Sequence, residues 1–213
     1  MPNVIELWML IRAINNQEPE LVAIIRAILY AQFQIYLHKC VCCWGYNEEA
    51  EMKPFRFPEM FPSKKNLISL LDIGVSPNFY NRGILPIHTA AENFQHELVQ
   101  ILIERGGANV SLPVKPLTKD EIEQDKKDYS FESYFSSRKW HSINNGSSAL
   151  HLTVRDCNEV YGHYDVNRHA HSTMKILLDK DSSIINMKND LGITPWDMVQ
   201  GSKFMGPIMD DYM

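Results

Sequence analysis

The sequence has few of the features that mark an enzyme or a secreted protein. Only four of its 213 residues are Cys, and three of them crowd together at Cys40, Cys42 and Cys43, far from Cys157. This distribution does not fit a disulfide framework, and it favours a reducing cytosol. Gly-rich phosphate loops, nucleophile elbows and zinc-binding helical His pairs do not occur in the sequence. We therefore predict no catalytic residue, no cofactor and no metal.

Excess charge and long apolar runs are also missing. The net charge is −5, which argues against a general binder of nucleic acid or of anionic membranes. The apolar segment at residues 19–43 is interrupted by Arg26, Gln32 and Lys39, so we expect no membrane span. No basic segment precedes a cleavable apolar core, so we expect no signal peptide. With 45% hydrophobic and 22% charged residues, the chain is able to bury a sizeable core.

One short pattern occurs three times along the chain. It begins at Gly83 (GILPIHTAA), at Gly146 (GSSALHLTV) and at Gly192 (GITPWDMV), and each Gly precedes a His or Asp by five residues. Self-similarity of this kind is typical of repeat architectures. In the first copy, Pro86 suits the first turn of a helix, where its missing N–H has no intrahelical acceptor to lose. Since a pair of short helices buries too little surface alone, we expect the units to stack around one core.

The segment that begins at Gly83 resembles the ankyrin repeat. The likeness is carried by Gly83, Pro86-Ile87-His88, Ala90-Ala91, Glu97-Leu98-Val99, Ile101-Leu102-Ile103 and Gly107-Ala108-Asn109-Val110. Residues 66–78 look like the end of a preceding repeat, and residues 192–199 look like a closing repeat with Asp197 in place of the His. The resemblance implies an all-α solenoid of stacked helix pairs with short hairpin-like fingers, capped here by N-terminal helices. It also implies that His88 and His151 brace adjacent repeats by hydrogen bonding.

The spacing of the three patterns departs from that of the family. Gly83 and Gly146 are 63 residues apart and Gly146 and Gly192 are 46 apart, against a period of about 33. We assign the first excess to an insertion at 112–143 in a finger, and the second to an inserted loop at 156–167 within one repeat. The predicted organisation is an N-terminal helical cap at 1–62, followed by repeats at 63–213. The predicted repeat units are 63–78 (partial), 79–111, 144–186 and 187–213 (terminal).

Two clusters contain residue types that bind metals or act as nucleophiles. The first is His38, Cys40, Cys42 and Cys43, which lacks the paired Cys-x2-Cys spacing of zinc sites, so burial on a helix is the better interpretation. The second comprises Asp156, Cys157, His163, Asp165, His169 and His171. Cys with His and Asp is the inventory of a thiol hydrolase, and three His suit a metal. A thiol or metal-dependent enzyme around Cys157 and His163 is therefore the alternative function.

The first insertion combines a charged segment with a group of aromatic residues. Thr118 and Glu121 have the spacing of a capping box ahead of a short helix. The aromatic residues that follow are Tyr129, Phe131, Tyr134, Phe135 and Trp140. Their density predicts that one side of the insertion packs on its own repeats or, alternatively, contacts a partner.

The resemblance implies a non-enzymatic scaffold that binds a protein through its fingers and its concave face. Transferred to this chain, it nominates residues in two fingers and on the exposed positions of the inner helices. These are Phe79, Tyr80, Asn81 and Arg82 in one finger, Asn189, Asp190 and Leu191 in another, and Thr89, Glu92, Asn93, Leu152 and Arg155 on the helices. We expect a monomer that binds a protein partner and no nucleic acid.

The degenerate repeats and a composition rich in Ile, Asn and Lys resemble a particular group of ankyrin proteins. Intracellular bacteria and large viruses deploy such proteins inside eukaryotic hosts, so the resemblance implies a cytoplasmic effector delivered into a host cell. An adaptor is the remaining alternative, in which the N-terminal helices recruit a second protein while the repeats hold the first.

Overall fold

The computed structural model describes residues 37, 64–72, 74–128, 139–159, 164–200, 202 and 205–213. Regular structure within these residues is helical, and strand-like pairing is limited to a bridge between Asn81 and Ile84. The helices are α1 (Lys64–Asp72), α2 (Pro86–Glu92), α3 (His96–Glu104), α4 (Lys119–Asp128), α5 (Ala149–Glu159), α6 (Tyr164–Lys180), α7 (Pro195–Val199) and α8 (Gly206–Asp210). A 3₁₀ helix spans Ser182–Asn186, and residues 139–144 are also helical. None of the helices in these ranges has the length and apolar character needed to cross a bilayer.

Helices α2 and α3 form the pair encoded by the clearest of the three patterns. Pro86 is the first residue of α2, where its fixed φ suits the helix and its missing N–H costs nothing. Ala90 and Ala91 are fully buried, and their small size lets the neighbouring helices approach closely. On α3 the buried face consists of Leu98, Val99, Leu102 and Ile103.

Successive helix pairs pack with equivalent helices in contact. The first helices of the pairs contact one another in the order α2, α5, α7, and the second helices in the order α1, α3, α6. One cluster of buried apolar residues extends through all of these helices, and it includes Leu67, Leu102, Leu177 and Val199. Leu37, the one described residue of the predicted cap at 1–62, belongs to the same cluster. The rest of that cap lies outside the described residues.

A buried His connects the first of these pairs to the next finger. His88 is fully buried, and its Nδ1 accepts the Leu85 N–H at 3.1 Å. Since Nδ1 is the acceptor, the proton resides on Nε2, which donates to the Leu112 carbonyl at 2.8 Å. The bracing hydrogen bonds that the resemblance implied are therefore present at His88.

The second pattern repeats these His hydrogen bonds, and the third replaces them with a local Thr–Asp cap. The Nδ1 atom of His151 accepts the Ser148 N–H at 3.1 Å, and its Nε2 donates to the Ile193 carbonyl at 3.0 Å. In the third pattern, Asp197 accepts the Thr194 N–H at 2.9 Å, and the Thr194 hydroxyl accepts the Asp197 N–H at 3.0 Å. This reciprocal cap closes the turn locally.

The fingers keep their hairpin bases on both sides of the first insertion. Asn81 and Ile84 exchange two backbone hydrogen bonds of 2.9 and 3.1 Å. At the equivalent place in the next finger, the Gly146 N–H donates to the Val114 carbonyl at 2.9 Å. The inserted residues therefore lie between Val114 and Gly146, which corrects the predicted bounds of 112–143, because residues 112–114 still belong to the finger.

The insertion begins with the helix that its sequence predicted. The Thr118 hydroxyl accepts the Glu121 N–H at 3.2 Å, and the Glu121 carboxylate accepts the Thr118 N–H at 2.8 Å. This capping box starts α4 one residue after Thr118, so that prediction is confirmed.

The described parts of the second insertion lengthen two helices. Helix α5 has 11 residues and α6 has 17, whereas α2 has 7 and α3 has 9. The loop predicted at 156–167 is helical at both ends, since 156–159 belong to α5 and 164–167 belong to α6, and 160–163 lie outside the described residues. Neither stretch contains a Gly or Pro, so nothing in it stops a helix.

We expect the stability of the protein to fall as the pH falls below about 6.5 because of His151. Burial lowers the pKa of His151 below its ordinary value of 6.5, and the hydrogen bonds to the Ile193 and Met187 carbonyls oppose this only in part. Below pH 6.5 the unfolded chain takes up a proton that the folded chain does not. The free energy of unfolding should therefore decrease by up to about 1.4 kcal/mol per pH unit from this group.

Urea unfolding between pH 5 and pH 7.5 measures this slope. The slope should shrink in His151→Gln and persist in His169→Gln, because His169 is exposed. An NMR titration of the His151 ring provides an independent readout. A folded-state pKa at or above 6.5 contradicts the prediction.

Two glycines with the same backbone conformation allow a matched test of how the fingers pack. Gly146 and Gly192 have φ values of 77° and 76°, so an Ala pays a similar left-handed penalty of about 1 kcal/mol at either site. An added Cβ at Gly146 would lie 2.5 Å from the Asp190 backbone nitrogen, whereas at Gly192 no atom lies within 4 Å. We expect Gly146→Ala to lower the free energy of unfolding by about 2 kcal/mol more than Gly192→Ala. Equal losses in chemical denaturation would show that the two fingers do not touch here.

Candidate functional site

The first finger ends in a turn with two residues in the left-handed region. Arg82 and Gly83 have φ values of 53° and 70° and lie between the paired residues Asn81 and Ile84. Positive φ at both central positions defines a type I′ turn, which favours Asn-Gly or Asp-Gly. Arg82 therefore carries roughly 1–2 kcal/mol of backbone strain, and strained residues of this kind cluster at functional positions.

Phe79 and Tyr80, in the same finger, differ in how far they remain available to a partner. The Tyr80 hydroxyl donates to the Pro113 carbonyl at 2.8 Å, and the Lys115 Nζ lies 4.0 Å from the centre of its ring. Partial burial raises the pKa of Tyr80. Phe79 is 39% exposed. Tyr80 thus fastens this finger to the next one through Pro113 and contacts Lys115 at the start of the insertion, while Phe79 presents apolar surface.

The last finger presents two apolar side chains on a fixed turn. The Asn189 side-chain oxygen accepts the N–H groups of Leu191 and Ile193, both at 3.0 Å. Leu191 is 59% exposed and Ile193 is 39% exposed. The Asp190 N–H donates to the Asn145 carbonyl at 3.1 Å, which joins this finger to the preceding one. Asn189 and Asp190 shape the turn, and Leu191 and Ile193 are its contact surface.

Ile193 was not among the residues nominated from the sequence. It occupies the position directly after Gly192, which Ile84 occupies after Gly83 in the first pattern. Ile84 is half-buried, so the pattern alone does not reveal that Ile193 is exposed.

A hydrogen-bonded network ties the end of the insertion to the inner helices. The Glu92 Oε1 atom accepts from Arg155 at 2.7 Å and from the Trp140 indole N–H at 2.6 Å. Arg155 also donates to the Asn144 side-chain oxygen, and Asn144 donates to the Trp140 carbonyl at 2.8 Å. We call Glu92, Trp140, Asn144 and Arg155 the insertion latch.

The insertion latch changes the interpretation of the concave face. Glu92 and Arg155 were nominated as exposed contacts, but their side chains are only 23% and 19% exposed and they hold the 139–144 segment. Of the insertion's aromatic residues, Trp140 therefore packs back on the repeats. The others, Tyr129, Phe131, Tyr134 and Phe135, lie outside the described residues.

The remaining nominated positions on the inner helices divide into two cases. Thr89 is half-buried and Asn93 is exposed, and the Asn93 side chain donates to the Thr89 carbonyl at 2.8 Å. Leu152 is fully buried. The prediction that Leu152 is an exposed contact is wrong, because α5 contacts α2, α6 and α7 at once.

The structure describes few side chains of the two Cys and His clusters that the sequence offered as metal ligands or nucleophiles. His38, Cys40, Cys42, Cys43 and His163 lie outside the described residues, as do the side chains of Asp156, Cys157 and Asp165. Within the described ranges no group of three or more His, Cys, Asp or Glu is placed to hold a metal ion. His169 is exposed on α6, and His171 is half-buried there.

Comparison with known families identifies one segment of the chain. The sequence model of the ankyrin repeat matches residues 82–114, which comprise the tip of the first finger, α2, α3 and the start of the next finger. The resemblance seen in the sequence is confirmed, and this segment is an ankyrin repeat. No curated protein and no solved structure matches the chain significantly. Since ankyrin repeats are interaction modules, the match supports a protein-interaction role in general terms.

We expect Trp140→Phe to loosen the insertion latch, because it removes the indole N–H that Glu92 accepts. The free energy of unfolding should fall by about 1 kcal/mol, and amide hydrogens in the 139–144 segment should exchange faster. Trp196→Phe is the matched control, since Trp196 packs beside the core in α7. Faster exchange at 139–144 in both variants, or in neither, would contradict the role assigned to Trp140.

Proposed function

We propose that this chain is a protein-binding ankyrin scaffold whose partner contacts the fingers more than the inner helices. The single observation that carries the proposal is the ankyrin repeat at 82–114, flanked by fingers that expose Phe79, Leu191 and Ile193. We call these three residues, with Asn81, Arg82 and Asp190 of the same fingers and Asn93 at the C-terminal end of α2, the finger surface. Exposed apolar side chains on backbone that is already fixed lose little entropy on binding, which favours affinity.

The proposed scaffold is a solenoid of stacked helix pairs with an N-terminal cap. Two observations support this arrangement. Helix α2 packs on α5 and α5 packs on α7, and these helices share a single apolar core. Leu37 is 1% exposed and lies in that core, which supports a cap made by the region around it.

The insertion latch supports the choice of the fingers over the concave face. Glu92 and Arg155 satisfy each other and bind Trp140 and Asn144. A partner that used these side chains would first have to break those bonds. Leu191 and Ile193 expose apolar surface outside that network.

The predictions of location and of an effector role rest on the sequence. A cytosolic location rests on the distribution of the cysteines, and the role of an effector inside a host cell rests on composition. The described residues offer no observation in favour of the enzyme alternative at Cys157 and His163. A non-enzymatic role agrees with the usual function of ankyrin repeats.

We expect Leu191→Ser and Phe79→Ser each to reduce partner recovery at least about tenfold, since contacts of large side chains at interface centres dominate affinity. The measurement is capture from eukaryotic cell lysate on the immobilised chain, with proteins quantified by mass spectrometry. Met213→Ser is the matched control, because Met213 is an apolar residue that is 69% exposed outside the fingers. Each variant should unfold within about 0.5 kcal/mol of the wild type. Equal recovery by all three variants would reject the finger surface.

A further inference from the structure

Two histidines from different helix pairs meet on the second-helix side of the protein. His96 is the first residue of α3, and His169 lies within α6. Their Nδ1 atoms are 3.2 Å apart, and their rings stack with centroids 5.1 Å apart at an angle of 27°. The pair lies at the surface, where His96 is half-buried and His169 is exposed. A small ion therefore reaches these nitrogens from solvent.

From this geometry we propose that His96 and His169 form a binding site for a divalent transition-metal ion. Zinc binds imidazole nitrogens at about 2.0–2.1 Å in a tetrahedral arrangement. Two nitrogens held in that way are roughly 3.4 Å apart by the same geometry. The observed separation of 3.2 Å is within hydrogen-bond distance and close to this value, so a bound ion would take the place of the hydrogen bond between the two rings.

The chemistry of the ligands defines the class of ion. Imidazole suits Zn²⁺, Cu²⁺ and Ni²⁺, whereas Mg²⁺ and Ca²⁺ prefer oxygen ligands. Within the described ranges no set of three or more ligand residues is assembled, so among these residues the pair supplies two ligands and leaves coordination positions for water. A site of this kind is open and exchangeable, unlike a closed structural zinc site.

The charges around the pair also favour a cation. Glu97 follows His96 in the chain, and its carboxylate accepts a hydrogen bond from the Lys64 ammonium. Lys64 lies 2.7 Å from Glu97 and offsets part of that negative charge, so Glu97 assists the site without being a ligand.

A bound ion would join two successive helix pairs. One ligand belongs to α3 and the other to α6, and these helices already pack together. Because the unfolded chain does not hold the two rings side by side, the ion binds the folded state preferentially and stabilises it. This site lies on the second helices, apart from the finger surface, and the inference does not depend on the proposed function.

The test is a titration of the chelator-treated, full-length chain with Zn²⁺ alone, measured by calorimetry and by thermal unfolding. We expect the wild type to bind one ion at this site. In His96→Gln and in His169→Gln that binding should be lost, or its affinity should weaken at least about tenfold. His171→Gln, two residues along the same helix, is the matched control and should bind as the wild type does. At a Zn²⁺ concentration about a hundredfold above Kd, the melting temperature of the wild type should rise by about 5 °C or more.

Two results would overturn the proposal, because the chain contains other Cys and His residues that are able to bind Zn²⁺. Zinc held by the cysteines would persist in both His96→Gln and His169→Gln, and that result rejects the pair as the site. Equal weakening in His171→Gln also rejects it. Both tested residues lie at the surface, so their variants should fold, and circular dichroism without Zn²⁺ checks this.

Discussion

The structure depends on the sharing of one apolar core among helix pairs that are each too small to bury their own. Helices of 7 and 9 residues, such as α2 and α3, become stable only when neighbours cover both of their sides. This requirement places small residues such as Ala90 and Ala91 where the helices meet. It also explains why the polar side chains inside the stack are ones that find partners there. His88 and His151 each accept a backbone N–H of their own turn with Nδ1 and donate to a carbonyl of the adjacent finger with Nε2.

The same requirement determines where extra residues are tolerated. In the finger, the base is closed by backbone hydrogen bonds that join Val114 to Gly146 and Ser147, so the chain enters and leaves the insertion at one place and the helix pairs stay in contact. Inside the repeat, the described extra residues continue α5 and α6, because a helix satisfies its own backbone groups as it lengthens. Both insertions thereby leave the contacts of the shared core intact.

The first insertion also returns to the repeats and alters their surface. Through the insertion latch it engages Glu92 and Arg155, which are polar side chains on the inner helices. Large apolar residues stay exposed on the turns of two described fingers, at Phe79, Leu191 and Ile193, and on the insertion itself, at Ile143. The insertion in one finger therefore affects which side chains of the inner helices are available to a partner.

The sequence by itself determined the repeat, the helix starts at Pro86 and Thr118, and the roles of His88 and His151, because these depend on local geometry at fixed spacing. The spacing of the patterns predicts an insertion in a finger, and the backbone bonds of Val114 with Gly146 and Ser147 mark the base of that finger. The sequence did not determine that Leu152 is buried or that residues 156–159 continue a helix, since burial depends on how many neighbours pack around an element. The tertiary structure alone decided that Trp140 meets Glu92 and that His96 meets His169. These pairs are 48 and 73 residues apart in the chain, and only the stacking of helix pairs brings them together.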